Sequence, residues 1–463
     1  MSTKVSYKGA QIAEVGAQQT KTLLTAGKYC EDDFTLANDD NPTAEENDVI
    51  FIDYDGTIRY SYSAEEFAAL TALPPLPVHA GLTGGGWNWT LADAKAYVAK
   101  SGGHCIGYNP ETTDGKTHGF IDLLEDALYV QIDISLNGTA VVDFCDGSEP
   151  VTLTGSSILN HTRRATHTYA SGGKKQFTIA VTGQATLPGN SSYNESICRC
   201  GRSANSPLMT NCLVELHIGA NTGIFDLSYG LTNQYRLEAI SVPPNCAAKV
   251  RGIYSTGWFI DCRLLKCFVI PSGIADGDLY YTFRYATIHR VSFPNAALNL
   301  GGYFNQGGGC ALSSICFPAS TVIGTYALPS QLAIKQLYIP ESVQTIAAYA
   351  LQDMRGLGHI KFAATTPPTL ASSTSLTFLD SCLLYVPFSA LAAYLTGTNY
   401  PNPATYTYLG FATYTSGATL PTQDGTAAYN VTWYATKGDA IAQTNAITEG
   451  NGKEIYCRYT AVA

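Results

Sequence analysis

The chain has 463 residues, 45% hydrophobic and 14% charged, and its net charge is −10. That length calls for more than one core, and the apolar share excludes a disordered tail. The acidic balance gives no broad attraction to nucleic acid or an anionic membrane, and no apolar run reaches the roughly 18 residues that span a bilayer. With 43 Gly and 30 Tyr against 3 Met, strands and turns are favoured over long helices, so the expected fold class is mainly β and multidomain.

The opening stretch "VSYKGAQIAEVGAQQTKTLLTAGKYCEDDFTL" reads as three or four short strands around Gly turns, and residues 1–38 are taken as an N-terminal β attachment region. Near Met1 neither the apolar core nor the cleavage site of a signal peptide is present, so the 13 Cys are expected to be reduced and mostly buried.

Residues 39–125 read as a linker and small helix-containing region, beginning with the acidic, Pro-containing "DDNPTAEEND". In "VIFIDYDGTI" (49–58) an apolar run leads into Asp53-Tyr54-Asp55-Gly56-Thr57. This resembles the first motif of the haloacid dehalogenase phosphatases, in which the first Asp is the nucleophile and the second the general acid. That chemistry also needs a downstream Lys for the phosphate and a Gly-Asp closely followed by another acid for Mg²⁺. "KGDAIAQTN" (437–445) offers Lys437 and Asp439 without the second acid. The expected reading is therefore a strand closed by an Asp-Gly turn and continued by "TIRYSY", with no catalytic residue and Asp53→Asn leaving folding intact. "SAEEFAALTAL" (63–73) carries a Ser cap and two early acids, and "TLADAKAYVAKSGG" (90–103) has Thr90 as cap and Gly102 as stop, so both read as helices. The segment between them, "LPPLPVHAGLTGGGWNW", reads as a loop.

Residues 126–185 hold "LNGTAVVDFCDGSEPVTLTG" and "HTYASGGKKQFTIAVTG". They resemble a polycystic-kidney-disease-type β-sandwich, in which a Val-Asp-x-Gly-Asp-Gly hairpin is answered by a His-Thr-Tyr strand. Val142, Asp143, Asp146, Gly147, His167, Thr168 and Tyr169 match, and Cys145 replaces a Gly. The resemblance implies a spacer with no chemistry.

A repeat dominates the second half. The heptapeptides "LVELHIG" (213–219), "LEAISVP" (237–243), "LKCFVIP" (265–271), "IHRVSFP" (288–294), "LSSICFP" (312–318), "IKQLYIP" (334–340), "LGHIKFA" (357–363) and "SCLLYVP" (381–387) share one frame, apolar-x-x-apolar-x-apolar-Pro. Their spacings are 24, 28, 23, 24, 22, 23 and 24 residues. The fourth and sixth positions alternate as on a strand, and Pro, lacking an amide proton, ends it. A second apolar cluster follows, with Ile323/Tyr326/Leu328 recurring as Ile346/Tyr349/Leu351. One such unit cannot bury its apolar face alone, so stacking into a solenoid is expected. The frame resembles the BspA-type leucine-rich repeats over residues 205–395, which implies binding of host surfaces or other proteins rather than catalysis.

Residues 405–463 read as a small C-terminal β domain. Across nearly the full length, "YKGAQIAEV", "FIDYDGTI", "GWNWTLADAKAYV" and "YNVTWYATK" resemble tail-fibre or tail-associated chains encoded by phages and prophages of gut Firmicutes. That resemblance implies a virion tail protein assembled in the host cytoplasm, docked to other tail or baseplate proteins through its N-terminal region. It further implies a homo-oligomer, a trimer by analogy, that recognises a bacterial cell-surface glycan or protein. The alternative is a bacterial leucine-rich-repeat surface adhesin.

No metal or cofactor is expected: Cys198, Cys200 and Cys212 lack a fourth ligand at zinc spacing, and His104 and Cys105, being adjacent, point apart on a strand. The candidate ligand-binding residues are aromatics of two Gly-supported loops, Tyr280, Tyr281, Phe283 and Arg284 in one and Tyr303 and Phe304 in the other, unless Tyr280, Phe283 and Tyr303 serve their own rungs as core. The second candidate face is the row of fifth heptad positions, expected to face outward: His217, Ser241, Val269, Ser292, Cys316, Tyr338, Lys361 and Tyr385.

Overall fold

The computed structural model describes residues 2–7, 10–16, 34–38, 49–186, 197–204, 209–220, 224–226, 231, 234–244, 259–273, 277–280, 282–302, 312–313, 315–328, 330 and 333–462. Three strands, β1 (Ser2–Tyr7), β2 (Ala10–Gly16) and β3 (Phe34–Asn38), form an antiparallel sheet in the order β2-β1-β3.

β4 (Val49–Ile52) and β5 (Ile58–Tyr62) form a hairpin across the Asp-Gly turn, where the Gly56 amide donates to the Asp53 carbonyl at 3.0 Å and the Thr57 amide to Asp55 Oδ1 at 2.8 Å. A short helix, Ala64–Ala69, starts at Ser63 with a complete capping box to Glu66. A longer one, Leu91–Ser101, is capped by Thr90 and closed by Gly102 at φ 82°. The stretch between them is not wholly loop, because Leu82–Trp87 forms β6 on the edge of the sheet. Its register slips between Thr83 and Gly86, and a Cβ on Gly85 would sit 1.7 Å from the Asn109 carbonyl oxygen, so only glycine permits the approach. With β7 (His104–Thr112) the order is β5-β4-β7-β6, β4 and β7 running parallel.

All four residues of β4 are buried, which means that both faces of this sheet are covered. Phe51 meets Phe67 and Trp87 on the helix side, ring centroids 6.0 and 4.9 Å away. Ile50, Ile52 and Cys105 point the other way and pack against Cys267 and Val269 of the repeats.

β8 (Thr117–Leu123), β9 (Tyr129–Asp143), β10 (Val151–Thr168) and β11 (Gly173–Thr186) pair antiparallel in the order β10-β9-β11-β8. The two matched segments of this region meet: His167 Nε2 lies 2.7 Å from Asp146 Oδ2, and the Tyr169 hydroxyl donates to the Phe144 carbonyl at 3.0 Å. Cys145 takes the left-handed conformation at φ 55°, the backbone for which a glycine is favoured. The same sheet continues into the repeats, because Leu213–His217 pairs antiparallel with β8 and parallel with Ala239–Ser241.

The repeat region is a β-solenoid of about six turns. Its parallel register steps by one heptad frame at a time: Glu215↔Ala239, Cys267↔Arg290, Gln336↔His359 and His359↔Leu383 are all third-position pairs. The fourth and sixth positions, such as Phe268/Ile270, Leu337/Ile339 and Ile360/Phe362, are buried in the main core, and only Ile315 among them is partly exposed. On the opposite side Leu300↔Ile323, Ile323↔Ile346 and Ile346↔Leu370 form a second parallel ladder. Tyr326 and Tyr349 stack there at 5.1 Å with planes 6° apart, both in the left-handed region at φ 55° and 60°. Thr407–Thr413 adds to the last rung in parallel, and Glu454–Ala461 and Tyr429–Tyr434 then complete the sheet antiparallel. No helix among the described residues is long and apolar enough to cross a membrane.

Candidate ligand-binding site

Strand periodicity puts the third and fifth heptad positions on one face, away from the core. That face was expected to be open, and the structure corrects this: seven of its eight fifth-position residues are buried and Lys361 is partly so. Alternation marks only the side opposite the core and does not say what covers it. The composition of the row was the available signal, because Ser241, Val269, Ser292 and Cys316 are not the charged side chains of a solvated surface.

Three zones follow one another along the face. At its start, the Tyr54 hydroxyl donates to Glu215 Oε1 at 2.9 Å; that same oxygen lies 2.9 Å from His217 Nε2, and His217 Nδ1 lies 2.8 Å from Ser241 Oγ. His217 holds the Glu215 carboxyl below its ordinary range. Beside it, the buried Asp53 carboxylate is paired with Arg59 at 2.7 Å and His79 at 2.8 Å. Asp53 thus joins its hairpin to the His79 loop, and Asp53→Asn, expected to be silent for folding, would take the carboxylate away from both Arg59 and His79. In the middle, β7 lies against the strands so closely that a Cβ on Gly107 would be 2.4 Å from Val269 Cγ1. Asn88 locks this contact, its Nδ2 donating to Ser292 Oγ at 3.0 Å while its Oδ1 accepts from the Gly107 amide at 2.9 Å.

At the far end the cover stops short and leaves a cavity of about 420 Å³, bounded by the end of the longer helix, the last repeats and the C-terminal strands. Lys100, Lys335 and Ser313 in its wall are exposed, so it opens to solvent. Five cationic side chains line it, Lys100, Arg290, Lys335, Lys361 and Lys437, against a single carboxylate, Glu454. Lys361 Nζ is committed, lying 2.9 Å from Glu454 Oε2 and donating to the Lys100 carbonyl at 2.9 Å. Lys437 makes no ion pair among the described residues; its ammonium lies 5.4 Å from the Tyr385 ring centroid. Burial, with Lys361 nearby, pulls its pKa below the usual lysine value.

The aromatic wall consists of Tyr97 edge-on to Tyr338 at 5.5 Å and Tyr385 edge-on to Tyr456 at 5.8 Å. His104 also lines the cavity: its ring meets Trp89 at 4.3 Å, and neither ring nitrogen has a hydrogen-bond partner among the described residues. Burial alone drops its pKa to about 3, so the imidazole is neutral at ordinary pH, with one donor and one acceptor nitrogen. His359 is lowered to about 4 by burial, then by Lys437 and Lys361.

Of the eight candidate residues, Tyr338 and Tyr385 reach this cavity, although from a buried wall rather than an exposed row. Phe283 is a correction: it is fully buried and stacks on Phe259 at 5.5 Å, so it serves the rung and not a ligand. Arg284 is partly buried, its Nη2 donating to the Tyr285 hydroxyl at 2.9 Å. The side chain of Tyr280, and all of Tyr281, Tyr303 and Phe304, lie outside the described residues. His104, Arg290 and Lys437 were not singled out as ligand-binding; they come from three distant segments, and no local pattern announces their meeting. Nor do the other cluster candidates gather a metal set: His104 and Cys105 point apart, into different clusters, and Cys198 Sγ and Cys212 Sγ lie 3.5 Å apart in the core. Among the described residues no three His, Cys, Asp or Glu come together as a metal site.

The family comparison falls on the strands that build this face. Six copies of the BspA type leucine rich repeat region match, within residues 253–368 and 279–391. These are BspA-type leucine-rich repeats. No curated protein matches the chain. BspA-type repeats suggest a surface adhesin or recognition protein, and in this chain they present their strand face to a folded cover and a cationic cavity rather than to open solvent.

Proposed function

We propose that this chain is a non-enzymatic recognition protein that attaches to a bacterial surface ligand. The observation that carries this reading is the run of BspA-type repeats, whose kind suggests adhesion or recognition. The engagement of Asp53 by Arg59 and His79 in a buried network supports a structural role for the dehalogenase-like motif. The finer form of the proposal is a phage tail fibre, with residues 1–38 docking to tail or baseplate partners and a polycystic-kidney-disease-like spacer at 126–185. It rests on the sequence likeness of the N-terminal and C-terminal segments to tail-associated chains. The repeats fit an exported bacterial adhesin equally well.

Fluorescently labelled full-length protein, incubated with gut Firmicute cells and read by flow cytometry, tests recognition: saturable binding to some strains is expected, and absence of binding to any strain overturns it. Immunogold labelling then separates the two forms. Gold on virion tails supports the fibre, and gold on the surface of the producing cells supports the adhesin.

A further inference from the structure

We propose that the cavity at the end of the repeat face binds an acidic saccharide, a hydroxylated ring carrying one carboxylate or phosphate. This deepens the recognition reading, on which it rests for its biological meaning but not for its chemistry.

Charge comes first. A protein of net charge −10 gathers Lys100, Arg290, Lys335, Lys361 and Lys437 around one opening whose lining holds one carboxylate, Glu454, while Lys100 reaches Glu341 outside the lining at 3.1 Å. Glu454 is already bound to Lys361, which leaves Lys437 half-buried, without an ion pair among the described residues, beside a second ammonium. Glu454 is one anion between two partly desolvated ammonium groups, and a ligand carboxylate or phosphate supplies a second through charge-assisted hydrogen bonds.

Shape and polarity narrow the class. A volume of about 420 Å³ lies in the range of small-molecule sites, roughly 300–1,000 Å³. Next to Lys437 the wall is the Tyr385 ring, with Tyr338 and Tyr456 on the same side, and rings of this kind stack on the C–H faces of sugars. A bare inorganic anion would satisfy the lysines and leave the tyrosines unused. A neutral sugar would do the reverse.

The test uses full-length protein and four probes by titration calorimetry at fixed ionic strength: glucuronate, glucose 6-phosphate, glucose and inorganic phosphate. At least one of the two sugar acids is expected to bind about tenfold or more tightly than both glucose and inorganic phosphate; whichever arm does so identifies the acid. Lys437→Gln, at a half-buried position on the surface, is expected to weaken that binding about tenfold with an unchanged melting temperature. Equal binding of sugar acid and glucose overturns the proposal, as does inorganic phosphate binding equally well, which would mean an adventitious ion only. Undiminished binding by a folded Lys437→Gln protein also overturns it. These comparisons within the parent protein decide the matter even if the variant misfolds. Cell binding that persists unchanged under saturating sugar acid leaves recognition standing and removes this cavity from it. Failure of cell binding removes the recognition reading, while the calorimetry still judges the cavity.

Discussion

His104 sits at the start of β7 between Trp89 and Tyr97, ring centroids 4.3 and 4.8 Å away, and burial holds its pKa near 3. In the unfolded chain the same imidazole takes up a proton below about 6.5. The folded value is the lower one, so acid favours the unfolded state. The stability linked to this group is complete above about pH 6.5 and falls by about 1.4 kcal/mol per pH unit as pH drops towards the folded value. His359, lowered to about 4, adds in the same direction. The melting temperature is therefore expected to fall between pH 7.5 and pH 5, and His104→Phe, which keeps an aromatic ring in the pocket, should narrow that difference. A variant whose melting temperature drops as far as the parent's would show that the folded protein already carries the proton. From sequence, His104 was legible as a residue pointing away from Cys105, but its neutrality was not, because burial depends on Trp89, Tyr97 and strands far along the chain.

At the scale of elements, the repeats were legible because burial and hydrogen bonding leave local marks. Apolar residues at the fourth and sixth positions and a terminating proline recur at the interval at which the parallel register steps, as Gln336↔His359↔Leu383 shows. Both helices were legible from their caps at Ser63 and Thr90. β6 was missed because its Gly-rich sequence has low strand propensity and forms only through pairing with β7. The cover over the strand face was missed for a related reason: it is a contact between elements, and its traces, the both-sided burial of β4 and a glycine at 107, look ordinary in isolation. Gly107 gives the sharpest test of that contact. A Cβ there meets Val269 at 2.4 Å and Ser292 Cβ at 2.9 Å, so Gly107→Val should wedge the sheet off the repeats. Hydrogen exchange is expected to show faster exchange in β7 and at 267–269 and 290–292, while the fourth- and sixth-position core stays protected. Unchanged protection of both strands would mean that the two layers are not in contact in solution.

At the scale of the whole molecule, a solenoid is stable only when its open ends are closed. Here the far end is closed by Thr407–Thr413, which pairs with Leu383–Pro387, and by the antiparallel strands beyond it. Truncation before residue 396 would bare the backbone of that last strand together with Tyr385 and Leu384, a ready template for another chain. The shortened protein is expected to aggregate or to elute as a higher oligomer in size-exclusion chromatography with light scattering. A monodisperse, monomeric truncation would show that the C-terminal strands are an appendage rather than a closure. The cavity shares this dependence, since Glu454 and Tyr456 arrive with the closing strand Glu454–Ala461 and Lys437 with the short helix Lys437–Ala442 before it. This is why the site could not be read from any one segment: its wall is drawn from three parts of the chain that meet only when the fold is complete.

The network of Asn88, Gly107 and Ser292 also bears on how such a protein could be re-engineered. Repeat proteins are usually treated as interchangeable bricks, with units exchanged or added at will. Here residues far upstream in the chain clasp particular rungs, so the third and fourth units are keyed to one partner surface, and an added rung would shift every later one out of place beneath it. Transplanting specificity between relatives would therefore mean moving residues 49–112 and the repeats together as a single graft, while the outer turns, where Tyr326 and Tyr349 stand, remain open to independent change.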